Sequence, residues 1–381
     1  CIFAKQFYFY MKKVVLILSL ATFLFSCSKN EEETVKTENA YDRTALLTNW
    51  ANNIIVPSYV NYQEKVQLLV TNINNFNTTP TVSNLETVRA SWLESYKAYQ
   101  YISIYNFGKA EEIYIKESSN TYPTNRIGIE ANITSGSYNL EHLSQFDKQG
   151  FPALDYLLNG LHTNDATIVG FYTTNTNATN YKSYLLAVAN RLKTNADAIV
   201  TSWNSGFKTS YIANNGTSVS SSINKTANNF VKNLEKDIRT GKLGIPAGVF
   251  SSGVKYPEKT EAYYKNNISK ILLNEAVKAS QDFFNGKHFN STTTGEGFRS
   301  YLDFLNVVRN GQKLSTIINN QFTPIYAANN TLNDSFSQQV TNDNTKMLAA
   351  YDALQQNVVY TKLDMMQALN IAIDYVDRDG D

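Results

Sequence analysis

The stretch that decides the fold reads Leu185-Leu-Ala-Val-Ala-Asn-Arg-Leu-Lys-Thr-Asn-Ala-Asp-Ala-Ile-Val-Thr-Ser-Trp203. Apolar residues recur in it at steps of three and four, and this stripe predicts a long amphipathic helix that needs a partner surface. The closing segment repeats the pattern, with Leu354, Val358, Val359, Leu363, Met366, Leu369 and Ile373. Strand-like alternation is scarce. The sequence therefore predicts an all-α protein, in which antiparallel bundles bury such stripes.

Polar stretches rich in Asn, Thr, Ser and Gly separate the predicted helices, as loops between helices do. The best domain boundary lies between Ser205 and Ser222, directly after the helix that is predicted to end at Trp203. We therefore predict two helical bundles, residues 41–205 and residues 206–381. No convincing direct repeat relates the two halves.

The amino end predicts export and an anchor. From Met11 the chain is typical of a secretory signal, in which two lysines precede an apolar run, so residues 11–26 are predicted to be removed. Leu24-Phe-Ser-Cys27 resembles a bacterial lipobox, which predicts lipidation of Cys27 and a membrane partner through that lipid. Residues 27–40 are predicted to be a flexible tether, and residues 1–10 an extension from an upstream start codon chosen in error. These features predict an outer-membrane lipoprotein on the periplasmic face or the cell surface.

Composition narrows the classes of function that the chain can have. The formal net charge is +1, which gives no electrostatic case for nucleic acid as a partner. Three histidines are few for a transition-metal enzyme, so any metal site is expected to use oxygen ligands. The chain has 25 tyrosines, and most of these rings are expected to pack at helix interfaces.

A second stretch carries the chemistry, Gly150-Phe-Pro-Ala-Leu-Asp-Tyr-Leu-Leu158. It resembles the imelysin family signature Gly-x-His-x-x-Glu, in which a His and a carboxylate share one helical face and can hold a metal. Here Pro152 stands at the His position and Asp155 at the Glu position. Proline has no lone pair to offer, so this helix cannot supply two ligands. From its own residues the peptide is also a plain helix start with a buried leucine face.

Further motifs follow in the order found in that family. They are Asn53-Ile-Ile-Val-Pro-Ser-Tyr59, the aromatic-rich segment Leu85 to Gly108, Lys242-Leu-Gly-Ile-Pro246, Glu261-Ala-Tyr-Tyr264 and the closing Tyr375-Val-Asp-Arg-Asp-Gly-Asp381. The resemblance implies two bundles packed face to face, with the site in the crevice between them. It implies Asp155, Glu261 and Tyr264 as ligand-binding residues, with Asp155 and Glu261 as metal candidates and iron or another divalent metal as the ion. Trp92 is expected in the core, and the final aspartates are interpreted as a solvated terminus.

Three functions stay open on this sequence. The first is an envelope lipoprotein that binds a ligand for uptake of iron or another nutrient, with an outer-membrane receptor as partner. The second is an interaction or structural lipoprotein that binds through its polar loops. The third is a metallopeptidase, which needs an open metal position and a carboxylate base. The chain has neither His-Glu-x-x-His nor an intact family signature, so enzymatic activity is not expected.

Overall fold

The computed structural model describes residues 40–375, and most of these residues are helical. Residues 42–375 form one compact unit. The predicted extension, signal peptide, lipidated Cys27 and terminal aspartates lie outside the described residues. The predicted domain boundary at residues 205 and 206 stays a prediction.

Within residues 40–375, the first half of the chain contains nine α-helices, and short π-helical and 3-10 segments extend or join them. They are α1 Arg43–Asn49, a π segment Trp50–Ile55, α2 Val56–Thr78, α3 Val82–Ile102, α4 Lys109–Glu112, α5 Ile115–Asn120, α6 Arg126–Ser135, a 3-10 turn Leu143–Lys148, α7 Gly150–Asp155, a π segment Tyr156–Gly160, α8 Asp165–Phe171, α9 Ala178–Ser202 and a π segment Trp203–Phe207. Side-chain caps define several starts. Thr81 Oγ1 accepts from the Asn84 N–H at 3.2 Å, for example, and so begins α3.

The second half continues in the same way and adds one small hairpin. Its elements are α10 Lys208–Ala213, α11 Ser222–Lys232, a π segment Asn233–Gly244, α12 Ile245–Ala247, a 3-10 turn Pro257–Lys259, α13 Ser269–Phe284, α14 Phe298–Phe304, β1 Val308–Arg309, β2 Gln312–Lys313, α15 Leu314–Asn330, α16 Phe336–Asn342, α17 Asn344–Val359, a π segment Tyr360–Met365 and α18 Met366–Ala368. Asn310 and Gly311 both have positive φ, which suits the two-residue turn between the antiparallel strands.

The stripe that predicted α9 is confirmed, because its residues are buried from Leu185 to Trp203. α9 ends one residue earlier than predicted, and the chain kinks at Gly206, whose φ is +123°. No helix within residues 40–375 is long and apolar enough to cross a membrane.

The closing stripe is only partly right. α17 buries Leu354 and Val358, but Leu363 is 55% exposed and Ile373 lies beyond α18. Leu363 falls in the π segment, where a wider turn rotates the following residues away from the register of an α-helix. Met365, which the stripe did not include, meets the core, while Met366 and Leu369 are buried as predicted.

The core joins the two halves of the chain. Trp50 of the first half stacks on Phe283 of the second half with ring centroids 5.1 Å apart, and within the first half Tyr96 stacks on Phe151 at 4.4 Å. Trp92 is fully buried and donates its indole N–H to the Phe151 carbonyl at 3.2 Å, as expected of a core residue. The expected packing role is confirmed for many of the tyrosines, which are fully buried, namely Tyr59, Tyr62, Tyr96, Tyr105, Tyr172 and Tyr184.

Candidate functional site

The motif helix α7 starts as its sequence predicts. Gly150 has φ +76°, and a Cβ there would lie 2.2 Å from the Ser119 carbonyl oxygen, so only glycine fits. Pro152 is buried in the first turn, where its missing N–H costs no helical hydrogen bond. The predicted buried face is confirmed, since Leu154, Leu157 and Leu158 are inaccessible.

Asp155 is 1% exposed and binds the backbone of the second half. Its Oδ2 accepts the Tyr264 N–H at 2.8 Å and its Oδ1 accepts the Lys265 N–H at 2.9 Å. Asn159 Nδ2 donates to Oδ1 at 3.1 Å. Burial raises the pKa of Asp155 to about 7, while these three donors favour the ionised form and oppose the rise. Asp155 and Tyr264 thus meet as expected, but through the Tyr264 main chain.

Glu261 lies in a separate buried network and is 1% exposed. Its Oε1 accepts from Asn120 Nδ2 at 2.8 Å and from Gln100 Nε2 at 3.3 Å. Lys242 Nζ donates to Glu261 Oε2 and also to Gln100 Oε1 at 2.9 Å. The buried carboxylate is therefore paired with one ammonium group and held by two amides.

The residues of this region do not fit a metal ion. Pro152 offers no ligand, and both oxygens of Asp155 and of Glu261 already accept N–H groups of the protein. Between residues 40 and 375, no group of three His, Cys, Asp or Glu side chains is arranged to hold one. His142 is exposed at the start of a 3-10 turn.

A cavity of about 350 Å³ opens beside the motif helix. We call it the motif pocket, and it is lined by residues that include Tyr122, Arg126, Pro152, Asp155, Tyr263 and Tyr264. Residues from both halves of the chain contribute to it. The Tyr264 ring packs against the Tyr156 ring at 5.2 Å. Glu261 lies outside the lining of this pocket.

Sequence reasoning missed the partners of Glu261. The sequence presents Lys242 only as the start of a glycine-proline turn, and no local pattern singles out Gln100 or Asn120. A lysine among apolar helical neighbours, Leu243 and Ile238, was the available signal that its ammonium group needs a buried anion.

The comparisons with known proteins agree with this architecture. The family model described as Imelysin, a peptidase family, matches residues 55–360. An imelysin-like protein from Psychrobacter arcticum superposes with a TM-score of 0.68 at 18% identity, covering 87% of this chain and 97% of that one. A candidate iron-regulated protein A precursor from Parabacteroides distasonis gives 0.69 at 14% identity, covering 86% and 94%. No curated protein matches the sequence.

Fold and pocket together define a class of protein. It is a helical protein in which residues from both halves of the chain line a cavity beside a Gly-x-x-x-x-carboxylate helix. The chain belongs to the imelysin family, because the family model matches more than half of its length. Within that family its signature carries Pro152 and Asp155 instead of His and Glu.

Proposed function

We propose that this protein is a cell-envelope binding protein that holds a small ligand in the motif pocket and serves the uptake of iron or another nutrient. The observation that carries the proposal is a pocket lined from both halves of the chain, beside carboxylates that are already satisfied by protein donors. Binding needs a shaped cavity with a few polar groups and no activated water.

The lining of the pocket suits an organic ligand or a metal already held by a chelator. Tyr122, Tyr263 and Tyr264 supply ring faces, and Arg126 supplies a cation. Aromatic rings give large contact areas, and a guanidinium group orients an acidic or polar substituent. Free iron finds no set of protein ligands at Asp155 and Glu261, so a bare ion is not the ligand that we propose.

The proposed place of the protein in the cell rests on the sequence alone. Lipidation at Cys27 would tether the domain to the outer membrane, where an uptake receptor would receive its ligand. A metallopeptidase is disfavoured, because the residues that would hold and activate a catalytic water have other partners.

The proposal is tested on the full chain purified from its own cell envelope without chelator. Small molecules released on denaturation are identified and counted by mass spectrometry. Tyr263→Ala removes a 39% exposed ring from the pocket wall, and Tyr114→Ala removes a 49% exposed ring elsewhere. We expect near-stoichiometric ligand with the wild type and Tyr114→Ala, and loss with Tyr263→Ala. A ligand-free wild type, in cells whose nutrient uptake is unchanged when the protein is deleted, would contradict the proposal.

A second candidate, an interaction lipoprotein, is favoured by a different observation. Four apolar side chains between residues 245 and 254 are each at least 36% exposed, namely Ile245, Val249, Phe250 and Val254. Exposed apolar clusters mark surfaces that bind other proteins. Replacing Phe250 and Val254 by serine would abolish binding to an envelope partner under this candidate and leave ligand content unchanged.

A further inference from the structure

The motif pocket contains two side chains of opposite charge that stand apart from each other. Arg126 is the first residue of α6 in the first half, and Glu258 lies in the 3-10 turn Pro257–Lys259 in the second half. Both side chains are exposed. Within residues 40–375, neither side chain forms an ion pair or a hydrogen bond, and they do not pair with each other. Both charges are therefore available to a ligand.

The surroundings of Arg126 explain why it has no carboxylate partner. On a helix its natural partner would be Glu130, four residues further along α6. Both oxygens of Glu130 already accept phenol groups, from Tyr156 at 2.6 Å and from Tyr181 at 2.6 Å. Burial raises the pKa of Tyr264, and the positive charge of Arg126 opposes this rise, so the guanidinium group lies near the Tyr264 hydroxyl.

Hydrogen bonds fix the wall of the pocket that carries Arg126. The Asn125 N–H donates to the Asp147 carbonyl oxygen at 2.7 Å, and Asn125 Nδ2 donates to Asp147 Oδ2 at 3.0 Å. Thr124 Oγ1 donates to the same carbonyl oxygen at 2.9 Å. The main chain directly before Arg126 is therefore held in place.

The opposite wall is fixed as well. Asp155 accepts the main-chain N–H groups of Tyr264 and Lys265. Ala262, which lines the pocket and is 2% exposed, has φ +56°, a conformation that a residue other than glycine keeps only where its surroundings impose it. A cavity whose walls are fixed before binding loses little conformational entropy when a ligand enters.

Two tyrosine rings form the aromatic surface of the pocket. The Tyr263 ring meets the Tyr264 ring edge to face, with centroids 5.2 Å apart and an interplanar angle of 75°. A Cβ at Gly160 would lie 2.5 Å from the Tyr264 ring, so the glycine lets this ring approach the motif helix closely. The other carboxylate of the lining, Asp155, has protein donors on both oxygens. Arg126 and Glu258 are thus the charged groups that remain for a ligand.

We propose that the motif pocket binds an aromatic α-amino acid. Its carboxylate pairs with Arg126, its ammonium group pairs with Glu258, and its ring packs against Tyr263 and Tyr264. A guanidinium group binds a carboxylate through two parallel hydrogen bonds, and aromatic rings favour edge-to-face or offset contacts. The inference rests on the proposed function, because it names the class of ligand for the same pocket.

The test is calorimetric titration of the full chain, dialysed free of endogenous ligand, with L-phenylalanine and three related compounds. Phenylalanine amide lacks the carboxylate, N-acetylphenylalanine lacks the ammonium group, and L-leucine keeps both charges but has no ring. Arg126→Gln and Glu258→Gln each remove one charge from the pocket. Arg299→Gln and Glu64→Gln are the matched controls, because both residues are exposed and lie outside the lining of the pocket. Thermal unfolding confirms that each variant is folded.

We expect one phenylalanine per chain in the wild type, and binding about tenfold weaker for each of the three related compounds. Arg126→Gln is expected to weaken phenylalanine binding about tenfold and to leave the binding of phenylalanine amide unchanged. Glu258→Gln is expected to weaken phenylalanine binding and to leave that of N-acetylphenylalanine unchanged. The controls should bind phenylalanine as the wild type does.

No binding of phenylalanine would overturn the inference, and so would a loss in Arg126→Gln that is equal for phenylalanine and its amide. This failure differs from failure of the proposed function. A protein that carries another class of molecule from the cell envelope, and binds no phenylalanine, would overturn the amino acid and keep the binding function. A ligand-free protein whose deletion leaves nutrient uptake unchanged would contradict the function itself.

Discussion

Asp155 is the residue through which the motif helix holds the second half of the chain. Its two oxygens accept the main-chain N–H groups of Tyr264 and Lys265 in a buried setting. Asp155→Ala would leave both donors unsatisfied and is expected to lower the free energy of unfolding by about 3 kcal/mol. Denaturant unfolding measures this loss. Asp352→Ala, on an exposed site of α17, is the control, and an equal effect of both variants would contradict the role given to Asp155.

The pKa of the same carboxyl group predicts a pH dependence. The unfolded chain releases this proton near pH 4, while burial keeps it on the folded protein up to about pH 7. Between these values the folded state binds more protons, so the free energy of unfolding falls as pH rises. The advantage of the wild type over Asp155→Asn should therefore shrink by up to about 4 kcal/mol between pH 4 and pH 8. A difference that stays constant or grows with pH would show that the pKa is not raised.

At the scale of elements, Gly150 sets the start of the motif helix. Its φ is +76° and the Ser119 carbonyl leaves no room for a Cβ. Gly150→Ala is expected to cost about 2 kcal/mol or more, because the backbone conformation is strained for alanine and the contact is with main chain. Gly216→Ala is the control, since nothing lies within 4 Å of a Cβ there. Thermal unfolding of the two variants tests this prediction. Equal unfolding midpoints would mean that the motif helix starts in a different backbone conformation.

Periodicity predicted the elements well wherever the helix is regular. α9 is the clearest case, because its stripe is buried from end to end. Leu363 shows where prediction from apolar periodicity fails, because one π turn moves this residue from the core face to the surface. Apolar spacing assumes 3.6 residues per turn, and nothing local in Tyr360–Met365 announces a wider turn.

The motif helix was predictable in its position, but the partners of the buried carboxylates were not. The spacing of Gly150 and Asp155 located the motif helix, and the altered signature showed that Pro152 cannot be a ligand. Glu261 pairs with Lys242, 19 positions away, but the amides of Gln100 and Asn120 that hold it lie 161 and 141 positions away in the chain. Such contacts depend on tertiary packing, which one sequence does not encode in any local pattern.

At the scale of the whole molecule, the carboxylates of Asp155 and Glu261 connect the two halves of the chain. Asp155 binds the main chain at 264 and 265, and Glu261 binds Gln100 and Asn120. The fold shared with imelysin-like structures persists at 14–18% identity, which is consistent with helix packing that needs apolar stripes more than particular residues. The motif pocket is lined by Asp155 together with residues of the second half of the chain.

The most direct test of this account is metal analysis of the full chain purified without chelator, followed by calorimetric titration with ferrous, ferric and zinc ions. Because Asp155 and Glu261 already have protein donors on every oxygen, we predict no stoichiometric ion in the wild type and no change in Asp155→Asn. One ion per chain, bound by the wild type and lost by a folded Asp155→Asn variant, would contradict the account and make Asp155 a metal ligand.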